Sequence, residues 1–188
     1  MNSFNCLLIG DGGVGKTALA SVFTQNIYPE ERIPTVVDFM SRNLVHNNQP
    51  VNLTVQDSAG QKDYTRVRLT QYPACNIIIL CFAVNDKNSV ENVKSYWLPE
   101  ARHNAPSKPI ILVGTKADTR HDSQIQSSYL ISKDQSEQLK KQCGACLYVE
   151  CSAKDRSNVD LVFVSAIKVL KGEIVQNPKP KLKICDIL

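Results

Sequence analysis

The stretch that most constrains this chain is Gly-Asp-Gly-Gly-Val-Gly-Lys-Thr, Gly10 to Thr17. It lies between the apolar run Cys6-Leu7-Leu8-Ile9 and the run Ala18-Leu19-Ala20-Ser21-Val22-Phe23. It fits G-x-x-x-x-G-K-[ST], the P-loop pattern, in the setting that pattern requires: a short strand turning into a helix. Its glycines let successive backbone N–H groups turn inward with no side chain in the way of phosphate oxygens. The helix beginning near Lys16 adds the positive end of its dipole. Lys16 offers a mobile cation to β- and γ-phosphates, and the Thr17 hydroxyl can ligate Mg²⁺. A polyphosphate ligand is therefore expected.

Length and composition narrow the rest. A chain of 188 residues with 43% hydrophobic and 21% charged content reads as one domain with a full core. We place that domain at 1–176 and a flexible basic tail at 177–188. No run approaches the ~18 apolar residues of a membrane span; the longest, Ile77 to Val84, reads as a buried strand. The N-terminus enters the P-loop without a basic leader or cleavage site, so no secretory signal is expected. Of the net charge of +4, the segment Lys168–Leu188 carries +3, five lysines against Glu173 and Asp186. The body is thus nearly neutral, with no nucleic-acid footprint. Seven cysteines without a leader suggest reduced thiols. Cys6, Cys81 and Cys151 read as packing residues. Cys143 and Cys146 have C-x-x-C spacing but no second pair for zinc, and read as a coincidence at a helix-to-strand turn.

Along the chain, strand one is expected at 4–9 and a helix from the P-loop to about Asn26. A polar, Pro-containing stretch spans Tyr28 to Thr35. Two runs joined by His46-Asn47-Asn48-Gln49-Pro50 then read as an antiparallel hairpin. Strand-like runs at Asn76–Val84, Pro109–Thr115 and Leu147–Cys151 alternate with helical spacing over Ser89–His103, Ser132–Gln142 and Asn158–Gln176. The alternation predicts an α/β fold: a mostly parallel six-stranded sheet with one antiparallel edge strand and helices on both faces. Ligands of such sheets bind at the carboxyl ends of the strands, where the motifs lie.

Three further motifs fall at those ends. Asp57-Ser58-Ala59-Gly60, followed by Gln61, is a D-x-x-G in which Asp57 can hold Mg²⁺ through water and the Gly60 N–H can meet a γ-phosphate oxygen. Thr115-Lys116-Ala117-Asp118 places a carboxylate where it can accept from the N1–H and exocyclic amine of guanine. Adenine offers no such pair. The Lys116 stem can cover one face of the base, and Ser152-Ala153-Lys154 can offer a backbone N–H to guanine O6.

Together with Ile33-Pro34-Thr35-Val36, Asp63-Tyr64, Tyr72-Pro73 and the terminal Cys185-Asp186-Ile187-Leu188, these residues resemble a Ras-superfamily small GTPase of the P-loop NTPase class. The likeness covers nearly the whole chain and is most similar to the Rho family, in its Rac-like branch, through Thr115 and the segment between Arg120 and Ser132. The resemblance implies a molecular switch that binds GTP and GDP with Mg²⁺ and slowly hydrolyses GTP. It implies that Gly12, Gly13, Val14, Gly15, Lys16, Thr17, Ala18 and Thr115 contact the nucleotide, with Tyr28 edge-on to the base. Thr35 would ligate Mg²⁺ and the γ-phosphate, and Gln61 would orient the attacking water, so Gln61, Lys16 and Thr35 are the catalytic candidates. Tyr28–Asp38 and Ala59–Pro73 would be switches I and II. Implied partners are exchange factors, GTPase-activating proteins, a dissociation inhibitor and effectors in actin, polarity or vesicle pathways, acting on a monomer.

Some residues depart from that pattern. Arg32 replaces a usual Tyr, Val37 a usual Phe, and Gln56 an aromatic that helps select exchange factors. His121–Ile131 is shorter than the usual insert helix. At the C-terminus Cys185 stands in a C-a-a-X box whose Leu188 predicts geranylgeranylation. Lys179, Lys181 and Lys183 would assist at an anionic leaflet, giving exchange between cytosol and the cytoplasmic face of membranes. Two other readings remain: a largely GTP-loaded binding module, and a P-loop small-molecule kinase.

Overall fold

The computed structural model describes residues 2–30 and 36–174. The readings of Arg32, Thr35, Cys185 and the basic tail lie outside the described residues. The strands are β1 (Asn2–Ile9), β2 (Val37–His46), β3 (Gln49–Ser58), β4 (Ile77–Ala83), β5 (Ile110–Thr115) and β6 (Leu147–Glu150). They form one six-stranded sheet in the order β2-β3-β1-β4-β5-β6. Every neighbouring pair is parallel except β2 with β3. This is the expected sheet, with β2 as its antiparallel edge.

The helices are α1 (Lys16–Gln25), α2 (Thr65–Leu69), α3 (Lys87–Asn92), α4 (Leu98–Asn104), α5 (Lys133–Cys143) and α6 (Val159–Leu170). Alternation along β1 divides the core. Cys6 and Leu8 pack beneath α1 and α6, where Phe23 stacks on Phe163 with ring centres 3.9 Å apart. Leu7 and Ile9 face the other way, toward Trp97, Ala101 and Leu139. Every residue of β4 is buried, because helices cover both sides of this central parallel strand.

Local chemistry explains most boundaries and several differences from expectation. The β2–β3 turn is shorter than the pentapeptide suggests. Asn47 and Asn48 both take positive φ, 50° and 59°, the two-residue hairpin geometry that asparagine tolerates, and Pro50 is already in β3. α3 is capped by Asp86, whose carboxylate accepts from the N–H of Asn88 and Ser89, and runs through a π-helical stretch, Val93–Trp97, into α4. Pro99 supplies the reason: with no N–H it cannot donate to the carbonyl of Ser95, and the turn before it widens. α5 opens with a Ser132–Gln135 capping box. α6 stops at Leu170, short of the expected Gln176, because Gly172 turns to φ 75° and the N–H of Glu173 folds back onto the carbonyl of Lys168.

The six described cysteines are free. Cys143 and Cys146 flank the left-handed Gly144 between α5 and β6, and burial pushes the Cys143 thiol up to about 12. No group of three metal-ligating side chains occurs among the described residues, and no described helix is long and apolar enough to cross a membrane.

Candidate nucleotide-binding cleft

A cleft of about 590 Å³ runs along the carboxyl ends of β1, β3, β5 and β6. Its floor is the loop between β1 and α1. Gly10 takes φ 140°, and a Cβ there would stand 2.3 Å from the carbonyl oxygen of Cys81, so no other residue fits. Lys16 is 5% exposed, and its Nζ donates to the carbonyls of Gly10 and Asp11, both at 2.8 Å. Two of three ammonium hydrogens are thereby used on the loop's own backbone, which leaves one for a ligand. Burial pulls this ammonium below the usual lysine range, against the opposing pull of Asp57 and Asp11. A polyphosphate would relieve the penalty.

Thr17 Oγ1 donates to Asp57 Oδ2 at 2.6 Å, which joins the start of α1 to the fully buried end of β3. Beyond β3 the chain turns sharply over the P-loop. A Cβ on Gly60 would lie 2.3 Å from Gly12 N and 2.4 Å from the carbonyl carbon of Asp11. Gln61 follows and is exposed, and a Cβ on Gly12 would come within 3.9 Å of its Cγ. The N–H of Ala59 donates to the carbonyl of Val36 at 3.2 Å, so the segment after β3 is tied to the start of β2.

The other end of the cleft is built from β5 and β6. Thr115 is buried, and its Oγ1 lies 2.5 Å from the carbonyl oxygen of Val14 and 2.9 Å from that of Phe82, its one hydrogen shared between them, fastening the P-loop to the strand that leads to Asp118. Lys116 adopts φ 59°, which swings the chain into the turn Ala117–His121. Ala117 N–H bonds the carbonyl of Cys151, and Ser152 Oγ donates to Asp118 Oδ1 at 2.6 Å. The same Ser152 Oγ accepts from the N–H groups of Lys154 and Asp155. Arg120 and Glu150 then clamp the turn after β5 to the end of β6 in a bidentate pair at 2.6 and 2.8 Å.

Most residues singled out in the sequence meet here. Gly12, Gly13, Gly15, Lys16, Thr17 and Ala18 line one end of the cleft, with Gly60 and Gln61 beside them. Tyr28, Thr115, Lys116, Asp118, Ala153 and Lys154 line the other. Three stand behind the wall. The Val14 side chain is in the core, Asp57 reaches the cleft through Thr17, and Ser152 acts through Asp118. Gln56, read as part of an exchange-factor surface, is only 4% exposed and is buried within the sheet's packing. Sequence reading missed Asn85 and Thr119, which line the cleft, and Asp11. The Asp11 carboxylate is held away from the ligand side by Trp97 Nε1 at 2.6 Å and Asn92 Nδ2 at 2.7 Å. No local pattern connects residues more than 80 apart.

A mostly parallel sheet in this order, with a P-loop at the tip of β1 and the Asp57 carboxylate at the tip of β3, defines a P-loop NTPase fold. Residues 5–172 match the model of the Ras family, from within β1 to just past α6. The chain belongs to the Ras family, and so to the small GTPases. The donor set fits a nucleotide polyphosphate with one Mg²⁺. One hydroxyl and one carboxylate suit an ion that keeps waters and takes its remaining ligands from phosphates. The space before Gly13, where a Cβ would meet nothing within 4 Å, leaves the loop's N–H groups room for phosphate oxygens.

Proposed function

We propose that the protein is a Rho-type GTPase switch of the Rac-like branch, with residues 1–176 as the nucleotide domain and 177–188 as a tether. The observation that carries the guanine part is the cleft itself. Lys16 and Thr17 stand at one end, and Asp118, fixed by Ser152, stands at the other. An acceptor carboxylate at the base end selects the paired donors of guanine over adenine. The Rho assignment is supported by Thr115, and by a link between β5 and α5 made of short 3₁₀ turns at Ala117–His121 and Ser127–Tyr129.

In this reading Lys16 and the P-loop N–H groups bind the phosphates, and Gln61 orients a water for attack. Tyr28, Lys116, Ala153 and Lys154 enclose the base. Thr17 and Asp57, with Thr35 from switch I, would hold Mg²⁺, whose charge neutralises the transferring phosphoryl group. Loss of the γ-phosphate then releases Thr35 and Gly60 together, and effectors read the difference. Geranylgeranylation and methylation of Cys185, with the tail lysines, would bring the switch to the cytoplasmic face of membranes reversibly, and the dissociation inhibitor would return it to cytosol.

The test is nucleotide exchange and single-turnover hydrolysis on the purified chain with GTP, GDP and ATP, with and without Mg²⁺. Guanine nucleotides should be retained, GTP slowly converted to GDP, and ATP ignored. Retention of GTP without turnover would favour a constitutively loaded module, and preference for ATP would overturn the reading.

A further inference from the structure

Outside the cleft, the group that the proposed chemistry leaves unexplained is Arg68. It is 1% exposed, and it lies on α2, a helix of only five residues. Nε donates to Glu100 Oε1 at 2.7 Å, and Nη2 donates to Glu100 Oε2 and Tyr96 Oη at 2.8 Å each. Nη1 donates to the carbonyl of Ala59 at 2.9 Å and to that of Gln61 at 3.3 Å. Every N–H of the guanidinium therefore has an acceptor. Tyr72 Oη steadies Glu100 Oε1 from another side at 2.8 Å. The guanidinium also lies 4.6 Å from the ring centre of Trp97, whose indole N–H is bonded to Asp11 of the P-loop.

A buried ion pair is an expensive way to hold a short helix, and an apolar pair of similar volume would serve as well or better. What an apolar pair cannot do is grip two backbone carbonyls. Those carbonyls belong to Ala59 and Gln61, on either side of Gly60. The pair is itself referred to the P-loop through Trp97 and Asp11.

We propose that Arg68 is a positioning residue for the reaction. It sets the backbone of 59–61, and through it the Gly60 N–H and the Gln61 side chain, against the P-loop, with Glu100 orienting the guanidinium and Trp97 carrying the register from Asp11. This rests on the reading of Gln61 as the residue that orients water. It adds that the orientation is imposed from α3–α4 even without an activating protein.

The deciding variant is Glu100→Gln, which keeps the shape but places an amide donor against Nε or Nη2. In the GDP-bound full chain, amide hydrogen exchange across 59–69 should quicken about tenfold, with β1, β4 and β5 unchanged. Single-turnover GTP hydrolysis should slow by about tenfold with GDP affinity within about twofold. If that variant fails to fold, Trp97→Phe, which keeps an aromatic ring but loses the bond to Asp11 and part of the buried indole, should give both effects at about threefold. Wild-type exchange across 59–69 in the folded variant overturns the proposal, whatever the hydrolysis rate. Uniformly faster exchange across the sheet also overturns it, since that marks a merely structural pair. A wild-type chain that binds GTP without hydrolysing it fails the functional reading instead, and the exchange pattern still decides whether Arg68 holds 59–61.

Discussion

At Asp118 the hydrogen bonding of one oxygen predicts what a single substitution will do. Oδ1 accepts from Ser152 Oγ at 2.6 Å. In Asp118→Asn the Ser152 hydroxyl, as donor, claims the amide oxygen and turns the amide nitrogen toward the base. Guanine then meets a donor where it needs an acceptor, and loses two charge-assisted bonds. GDP affinity should fall by about 10²-fold or more. Xanthine carries a carbonyl in place of the exocyclic amine and should gain, so competition between GDP and XDP reads the swap directly. Gly60 supports an equally local prediction. In Gly60→Ala the new methyl would stand 2.3 Å from Gly12 N, backbone against backbone, with no flexible side chain to yield. The segment must lift from the P-loop, and single-turnover hydrolysis should slow by about 10²-fold. GDP binding, which relies on the P-loop and the base end, should change little.

The elements most visible in the sequence were those with an unbroken apolar run or a period. β4 is a continuous apolar run, β3 alternates, and α6 repeats its apolar face every third or fourth residue. The strand ends carrying the P-loop, Asp57, Asp118 and Ser152 followed from them. What stayed hidden depends on contacts between distant residues. The bulge before Pro99 turns on one missing N–H, and the burial of Arg68 on a carboxylate 32 residues away. Gln56 looked like surface because the sequence shows its type but not its cover.

The pair between Arg120 and Glu150 joins the two base-end elements, and its side chains are 19% and 16% exposed. Burial alone would raise the Glu150 carboxyl, but bonds from Arg120 and Tyr148 hold it below the usual carboxylate range. A lowered folded pKa means the stabilisation is present above the unfolded value of about 4.3 and is lost as pH falls through the folded one. Glu150→Gln should therefore cost about 2 kcal/mol at pH 7. In urea denaturation the gap to wild type should close as pH drops below 4.

For the molecule as a whole, the cleft couples nucleotide to stability. Four strand tips, from β1, β3, β5 and β6, meet around it. The cation at its floor is buried among carbonyls, at a cost that phosphate would offset. A ligand that binds only the folded chain stabilises it by about 4.1 kcal/mol at a thousand times its Kd. For a domain of this size each kcal/mol raises the Tm by about 2–4 °C. Saturating GDP with Mg²⁺ should therefore move the melting transition upward by about 8–16 °C, and ATP at the same concentration should leave it in place. Chelating the Mg²⁺ tests the Thr17–Asp57 end separately. With the base contacts intact and the phosphate charge no longer neutralised, part of the shift should remain, while GDP dissociation quickens. A shift indifferent to chelation would remove Mg²⁺ from the site without removing guanine, because the two are held at opposite ends of the cleft.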